Sequence, residues 1–319
     1  MNYTLSNKLP LSPYSMFSVL YQRGGEDHSV DFPEPAQFRL AKTVVVGENL
    51  VGMRGNGFAD TYNPFDLYGV AERARHKALP PHLVFAELEQ EPDDACAFLN
   101  AYGPLERLQD HEFLREDELR QWKKASSASP SPEGHFRSML GEVPLLPDPA
   151  EPEKDDFYTY PLKQFWEAQS KFELALRLYS ALSSSPADQY SSIRRTLQTL
   201  DLNWKIGGRN IERQYVERAR EFVISTLNLQ LEFMQPRIVW DPQAANGATL
   251  MGVWGCYSLL EAMYLMLFLD IASRGTRIVQ CEKCGALFYT DLERGRYCSA
   301  TCENRARALR AYHKKKGGS

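Results

Sequence analysis

Histidine is scarce, at six in 319 residues, and the six carry no metal-ligand or acid–base spacing. His28, His76, His82, His111, His135 and His313 stand far apart, mostly in unrelated surroundings. A general base needs a neighbour that orients and tunes it, so none of these suggests a catalytic centre. The glycine-rich stretch Gly52-Met53-Arg54-Gly55-Asn56-Gly57 lacks the Gly-Lys-Ser/Thr ending of a phosphate loop and reads as a turn after a strand. We therefore expect a protein that is not an enzyme.

Long apolar runs are also missing. The densest stretch, Leu250 to Ala272, is broken by Gly252 and Gly255 and carries Glu261 and Asp270 on opposite helical faces. Its uninterrupted part falls short of the ~20 residues that cross a bilayer. A helix apolar on nearly all sides belongs at the centre of a core, so no membrane partner is expected. The start, Met1-Asn2-Tyr3-Thr4, shows no basic segment leading into an apolar one, which predicts no secretory signal. Cys96 and Cys256 sit alone in apolar surroundings and read as buried thiols, not as a disulfide framework. Together these features predict a reducing, cytoplasmic setting.

The net charge of −4 is unevenly spread. Residues 274–316 hold eleven Lys/Arg against four acids, a net +7, which leaves −11 on the remainder. A body of that sign repels polyanions over most of its surface, so any nucleic-acid contact must be local to the tail.

Hydrophobic residues make up 43% of the chain, enough for real cores, and periodicity predicts an α+β protein. Residues 1–123 read as a mixed α/β domain. Phe38 to Val46 and Asn49 to Arg54 form paired strands across Gly47, and Pro81 to Leu88 reads as a further strand. A helix starts at Pro92-Asp93-Asp94 and stops at Gly103-Pro104, with a short charged helix expected over 111–123. Residues 124–156 are rich in Pro, Ser and acids and read as a linker. Residues 157–276 read as a helical domain. Leu162, Phe165, Trp166, Phe172, Leu176 and Tyr179 recur at helical steps, Tyr190 to Leu202 and Ile211 to Met234 follow, and Gly207-Gly208 separates those two. An extended segment is expected at Ile238-Val239-Trp240, before the apolar helix over Leu250–Ala272.

Residues 277–316 carry the sharpest signal. Cys281-x2-Cys284, thirteen residues, then Cys298-x3-Cys302 place four soft ligands where one ion can hold them. Two close cysteine pairs suit tetrahedral Zn2+, and four sulfurs leave no open position, so a single structural zinc is expected. Gly285 allows the turn after the first pair, and Ser299 is placed to cap a helix that brings Cys302 to the ion. Leu287 to Thr290 and Gly295 to Tyr297 are expected to pair as a hairpin across 291–294. The order of knuckle, hairpin and helix is the treble-clef arrangement. No histidine stands on that hairpin, which sets it apart from treble-clef nucleases.

This segment resembles the CGNR-type zinc finger of bacterial proteins. The resemblance rests on Cys281-Glu282-Lys283-Cys284-Gly285, Phe288, Arg296-Tyr297-Cys298-Ser299 and Cys302-Glu303-Asn304-Arg305-Ala306. It covers about forty residues, and Glu303 stands where the family has glycine. Proteins carrying this finger are described as DNA-binding regulators, so the resemblance implies transcriptional regulation with DNA, before RNA, as partner.

At 100° per residue, Arg307, Arg310 and Lys314 fall within about 60° of one another and form one basic stripe. Arg296, on the expected hairpin, can join them at phosphates. Arg305, Leu309 and Tyr312 share the opposite side and are expected to face the metal and the body. The alternative reading is a protein-interaction or ligand-sensing module with a purely structural zinc, in stress or phage defence. It leaves room for a protein partner or a homo-oligomer.

Overall fold

Short β-branched runs build the first sheet. The structure is a computed structural model and describes residues 37–38, 40–54, 61–62, 79–105, 120–121, 123–125, 157–232, 234–241, 249–256, 258–272, 277–290 and 295–316. The strands here are Gln37–Phe38 (β1), Leu40–Val46 (β2), Asn49–Arg54 (β3) and Thr61–Tyr62 (β4). β2 and β3 pair antiparallel as expected, with Gly47 at φ +62° in the turn, where a Cβ would be strained. Most of the expected linker and the helix over 111–123 lie outside the described residues.

The fold is α+β, and every described strand pair is antiparallel. Contacts divide the chain into two compact units that are each discontinuous in sequence. One comprises Met1–Val84, Leu88–Glu167 and Gln230–Met263; the other comprises Phe85–Glu87, Ala168–Leu229 and Tyr264–Ser319.

In the first unit the sheet is completed from far along the chain. Phe157–Pro161 (β5) pairs with β3, so that Val51 faces Thr159. Tyr158 and Tyr160, two apart on one face, are both buried with their rings stacked at 6.0 Å. Helix Pro92–Tyr102 packs on β2 and β3 and buries Ala95, Phe98, Leu99 and Tyr102. Proline opens it, and Gly103 at φ +81° closes it by donating its N–H to Leu99 O at 2.7 Å. The Thr43 N–H reaches the Asn100 side-chain oxygen at 2.8 Å and ties this helix to the sheet.

Three expectations change. Pro81–Ala86 is a helix (α1, making Pro92–Tyr102 α2), not a strand. Leu83, Val84 and Phe85 are all fully buried, and a short continuous apolar run fits a buried helix as well as a buried strand. The Leu83 and Val84 N–H groups donate to Pro80 O, which decides for the helix. The stretch from Leu250 is not one helix either. Thr249–Gly255 (β7) pairs over its whole length with Gln235–Asp241 (β6), and only Leu259–Ala272 is helical. Gly252 and Gly255 disfavour the helix there, while pairing satisfies the backbone. The third change is β5 itself, at the start of a region expected to be mainly helical.

The second unit is mainly helical. It holds most of Leu162–Leu182 (α3), Gln189–Thr199 (α4), Ile211–Leu231 (α5) and the later turns of Leu259–Ala272 (α6). Phe172 sits at its centre, meeting Phe85 at 5.8 Å and Tyr264 edge-on at 4.9 Å. Truncating a buried ring of this kind costs about 3–5 kcal/mol. The unit ends with Arg277–Gln280 (β8), Leu287–Thr290 (β9) and Ala300–Lys316 (α7). No helix among the described residues is long and apolar enough to cross a membrane.

Candidate metal centre

A hairpin frames the first cysteine pair. β8 and β9 pair antiparallel from Arg277–Thr290 to Gln280–Leu287, and Cys281 to Ala286 form the turn between them. Ile278 and Leu287 are buried beneath it. The Cys281 N–H donates to Ala286 O at 2.8 Å, and the Gly285 N–H donates to Cys281 O at 2.9 Å. Gly285 adopts φ +81°, so the turn expected at this glycine is present. The expected pairing of Leu287–Thr290 with Gly295–Tyr297 is not: β9 takes β8 as partner, and residues 295–297 are not a strand. The β-branched run Ile278-Val279 suits a pleated edge better than a segment starting with glycine.

Residues 295–297 act instead as a strap. The Glu282 N–H donates to Arg296 O at 3.0 Å, drawing the second cysteine pair over the first. A Cβ on Gly295 would collide with the side chain of Thr290, so only glycine passes there without displacement. Ser299 then caps α7, accepting the Cys302 N–H on its hydroxyl at 3.3 Å and the Glu303 N–H on its carbonyl at 3.1 Å.

These devices bring all four sulfurs within 4.8 Å of one another. Cys298 Sγ lies 3.6 Å from both Cys284 Sγ and Cys302 Sγ. A tetrahedral ion with metal–sulfur bonds of about 2.3 Å sets its ligands about 3.8 Å apart, so the cage matches one such ion. The spacing is far beyond a sulfur–sulfur bond of about 2.05 Å, and all six cysteines are free. Cys281 and Cys302 are buried, whereas Cys284 and Cys298 are exposed.

The electrostatics of the cage also call for a cation. Burial opposes the Cys281 thiolate, but the N–H groups of Cys298, Cys284 and Lys283 outweigh it and bring the thiol down to about 6. Burial and then the neighbouring thiols push Cys298 up to about 12, and burial likewise raises Cys284. One negative sulfur is welcome and the next is resisted, as with any crowded set of like charges. A divalent ion removes that conflict by neutralising the thiolates together.

A buried ionic clamp holds the turn to the helices of its own unit. Arg177 on α3 is only 8% exposed. Its Nη2 meets Glu87 Oε1 at 2.9 Å, its Nε meets Glu173 Oε1 at 2.7 Å, and its Nη1 donates to Gly285 O at 3.0 Å. Glu87 Oε1 also accepts the Leu287 N–H at 3.2 Å. On the other side of the hairpin, Tyr289 donates its hydroxyl to buried Asp270 at 2.9 Å. Sequence reasoning missed this clamp. Glu173 and Arg177 have the i, i+4 spacing of an ordinary surface pair, and nothing local marks them as buried.

The basic residues are distributed less simply than the helical wheel implies. Arg307 and Arg310 are exposed on α7, one turn apart. Arg307 pairs with Glu303 one turn back, and Arg310 Nε leans on Ala306 O of its own helix at 3.4 Å. Arg296, on the strap, is exposed and lies 3.6 Å from Glu282. Lys314 lies on α7, and its side chain is outside those described. Arg305 and Leu309, expected to face inward, are both exposed, Leu309 at 48%. Cys302 is the one buried position among residues 300–310, and every residue from Arg307 to Arg310 is exposed.

No family model, curated protein or solved structure matches the chain.

Proposed function

We propose that this is a nucleic-acid-binding protein of the CGNR-type finger class, with one structural zinc on Cys281, Cys284, Cys298 and Cys302. The finger presents Arg296, Arg307, Arg310 and Lys314 to the phosphates of DNA, in the role of a transcriptional regulator. The reading is carried by the exposure of Arg307 and Arg310 on a helix whose first turn carries the cage cysteine Cys302. Their ion pairs do not oppose it. Exposed pairs such as Arg307–Glu303 are worth about 0–1 kcal/mol and are readily exchanged for a phosphate. Contacts of this type fix position without reading sequence, so binding falls as salt rises.

The test is a mobility shift of duplex DNA over a range of salt. Replacing Arg307 and Arg310 by alanine should abolish the shift while Tm stays unchanged. The log–log salt slope should fall by about 2 wherever residual binding persists. A wild-type protein that shifts no DNA at low salt, or a double variant that binds as well as wild type, overturns the proposal. A second reading draws on Leu309, an exposed apolar side chain on the side of α7 away from the stripe, which suits a protein partner.

A further inference from the structure

The connection between α4 and α5 builds a site that the finger does not use. Just past the end of α4, Asp201 has φ +51°, and the Leu202 N–H turns back to Leu197 O at 2.7 Å. Tyr215 on α5 donates its hydroxyl to Trp204 O at 2.9 Å, which pins the loop. The Trp204 ring lies nearly parallel to Tyr215, with centroids 6.1 Å apart, and Tyr215 meets Tyr190 edge-on at 5.6 Å. Arg218 stands over Trp204 at 5.2 Å, and Arg194 stands over Tyr190 at 5.9 Å.

Beside them opens a cleft of about 310 Å³ whose lining includes Arg194, Leu197, Asp201, Asn203, Trp204 and Tyr215. That volume is at the small end of the ~300–1,000 Å³ typical of small-molecule sites. Leu197 is a buried apolar position, and Trp204 and Tyr215, held nearly parallel to each other, add aromatic surface to the lining. Asp201 and Asn203 are exposed, and their side chains have no partner among the described residues. The carboxylate accepts hydrogen bonds, the amide both donates and accepts, and Arg194 supplies a fixed positive charge. Residues 194–218 carry six Lys/Arg against three acids, a local net +3 on a chain whose overall charge is −4.

Aromatic side chains, a hydrogen-bonding rim and a guanidinium lining one cavity match one ligand chemistry, a flat heterocycle carrying a phosphate. We infer that this cavity binds a purine nucleotide. The base lies against Trp204 and Tyr215, Asp201 accepts its N–H donors, and Arg194 takes the phosphate. The inference is independent of the finger, because no residue is shared between the two sites.

A free nucleotide and an unstacked base within a single strand offer the same chemistry, so the experiment includes both. The full-length protein is titrated by calorimetry with guanosine 5′-monophosphate, with a short guanine-containing single strand, and with inorganic phosphate as competitor. Saturable binding that phosphate does not displace, weakened tenfold or more by both Arg194→Ala and Asp201→Asn, supports the site. The tighter of the two ligands then identifies the source. Both substitutions are at exposed side chains, and an unchanged Tm shows that the fold is kept. The finger variant Arg307→Ala/Arg310→Ala should bind guanosine 5′-monophosphate as wild type does, which separates this test from that of the finger. The inference is overturned if neither ligand binds at millimolar concentration, if phosphate alone displaces the nucleotide, or if the two substitutions leave affinity unchanged.

Discussion

Arg177 and Gly285, 108 positions apart, are joined by a 3.0 Å hydrogen bond from the guanidinium to the backbone carbonyl of the cysteine turn. The same guanidinium neutralises part of the charge on Glu87 and Glu173, neither of which is more than 14% exposed. Removing one partner of a buried ionic group leaves the others uncompensated. Arg177→Ala should therefore lower stability by about 3–5 kcal/mol in urea unfolding. Arg177→Lys keeps the charge but loses the planar fork, and should fall between that variant and wild type. An alanine variant as stable as wild type would show that the clamp contributes nothing.

The six thiols should react in two classes. Cys96 and Cys256 are buried, and burial with a nearby acid pushes Cys96 up to about 12 and Cys256 well above its ordinary value. Only the thiolate attacks a disulfide reagent, so both should stay silent in the native protein. With metal bound, the four cage sulfurs should also react slowly. A chelator should expose four thiols, and denaturant six, in an Ellman titration. The chelator has access, because a cavity of about 380 Å³ opens beside Cys281 and Cys284.

Metal-free protein should have a bell-shaped stability against pH. Cys281 is lowered in the fold from 9.0 to about 6, so its contribution is present above 9.0 and is lost as pH falls through 6. Cys298 is raised from 9.0 to about 12, so its contribution is present below 9.0 and is lost as pH rises toward 12. Tm of the chelated protein should peak near pH 9.0. Cys281→Ser should flatten the acid side alone. A metal ion held by the four sulfurs would, by contrast, compete with protons for all of them, and metal-loaded protein should release it on acidification.

Gly295→Ala tests the strap. The new Cβ would lie 2.9 Å from Thr290 Cβ and still closer to Thr290 Oγ1, so the strap or the strand end must move. Overpacking of this kind costs about 1–3 kcal/mol. The strap also sets the position of Cys298, so zinc affinity, read by competition with a chromogenic chelator, should fall with stability. An unaltered affinity would mean that residues 295–297 do not position the second pair.

The cysteine pairs, the turn at Gly285 and the cap at Ser299 were legible because each rests on residues a few positions apart. The helix boundaries at Pro92 and Gly103 were legible for the same reason. The errors arose where distant partners decide. β9 chose β8 across the cysteine turn over the following segment, and β5 chose β3 from about a hundred residues away. Pro81–Ala86 is a local exception, settled by bonds to the Pro80 carbonyl that a run of buried apolar residues does not reveal. The burial of Arg177 comes only from packing. So does the freedom of Arg305 and Leu309, since a helical wheel gives direction around an axis but not where the supporting surface stops.

That last point governs how the tail behaves as a tool. α7 is a beam bolted near one end at Cys302, with Arg305, Arg307 and Arg310 exposed along the turns that follow. Take out the ion and every charge survives, but their aim does not. The molecule would still cling loosely to a polyanion, and would no longer present its arginines at a set angle.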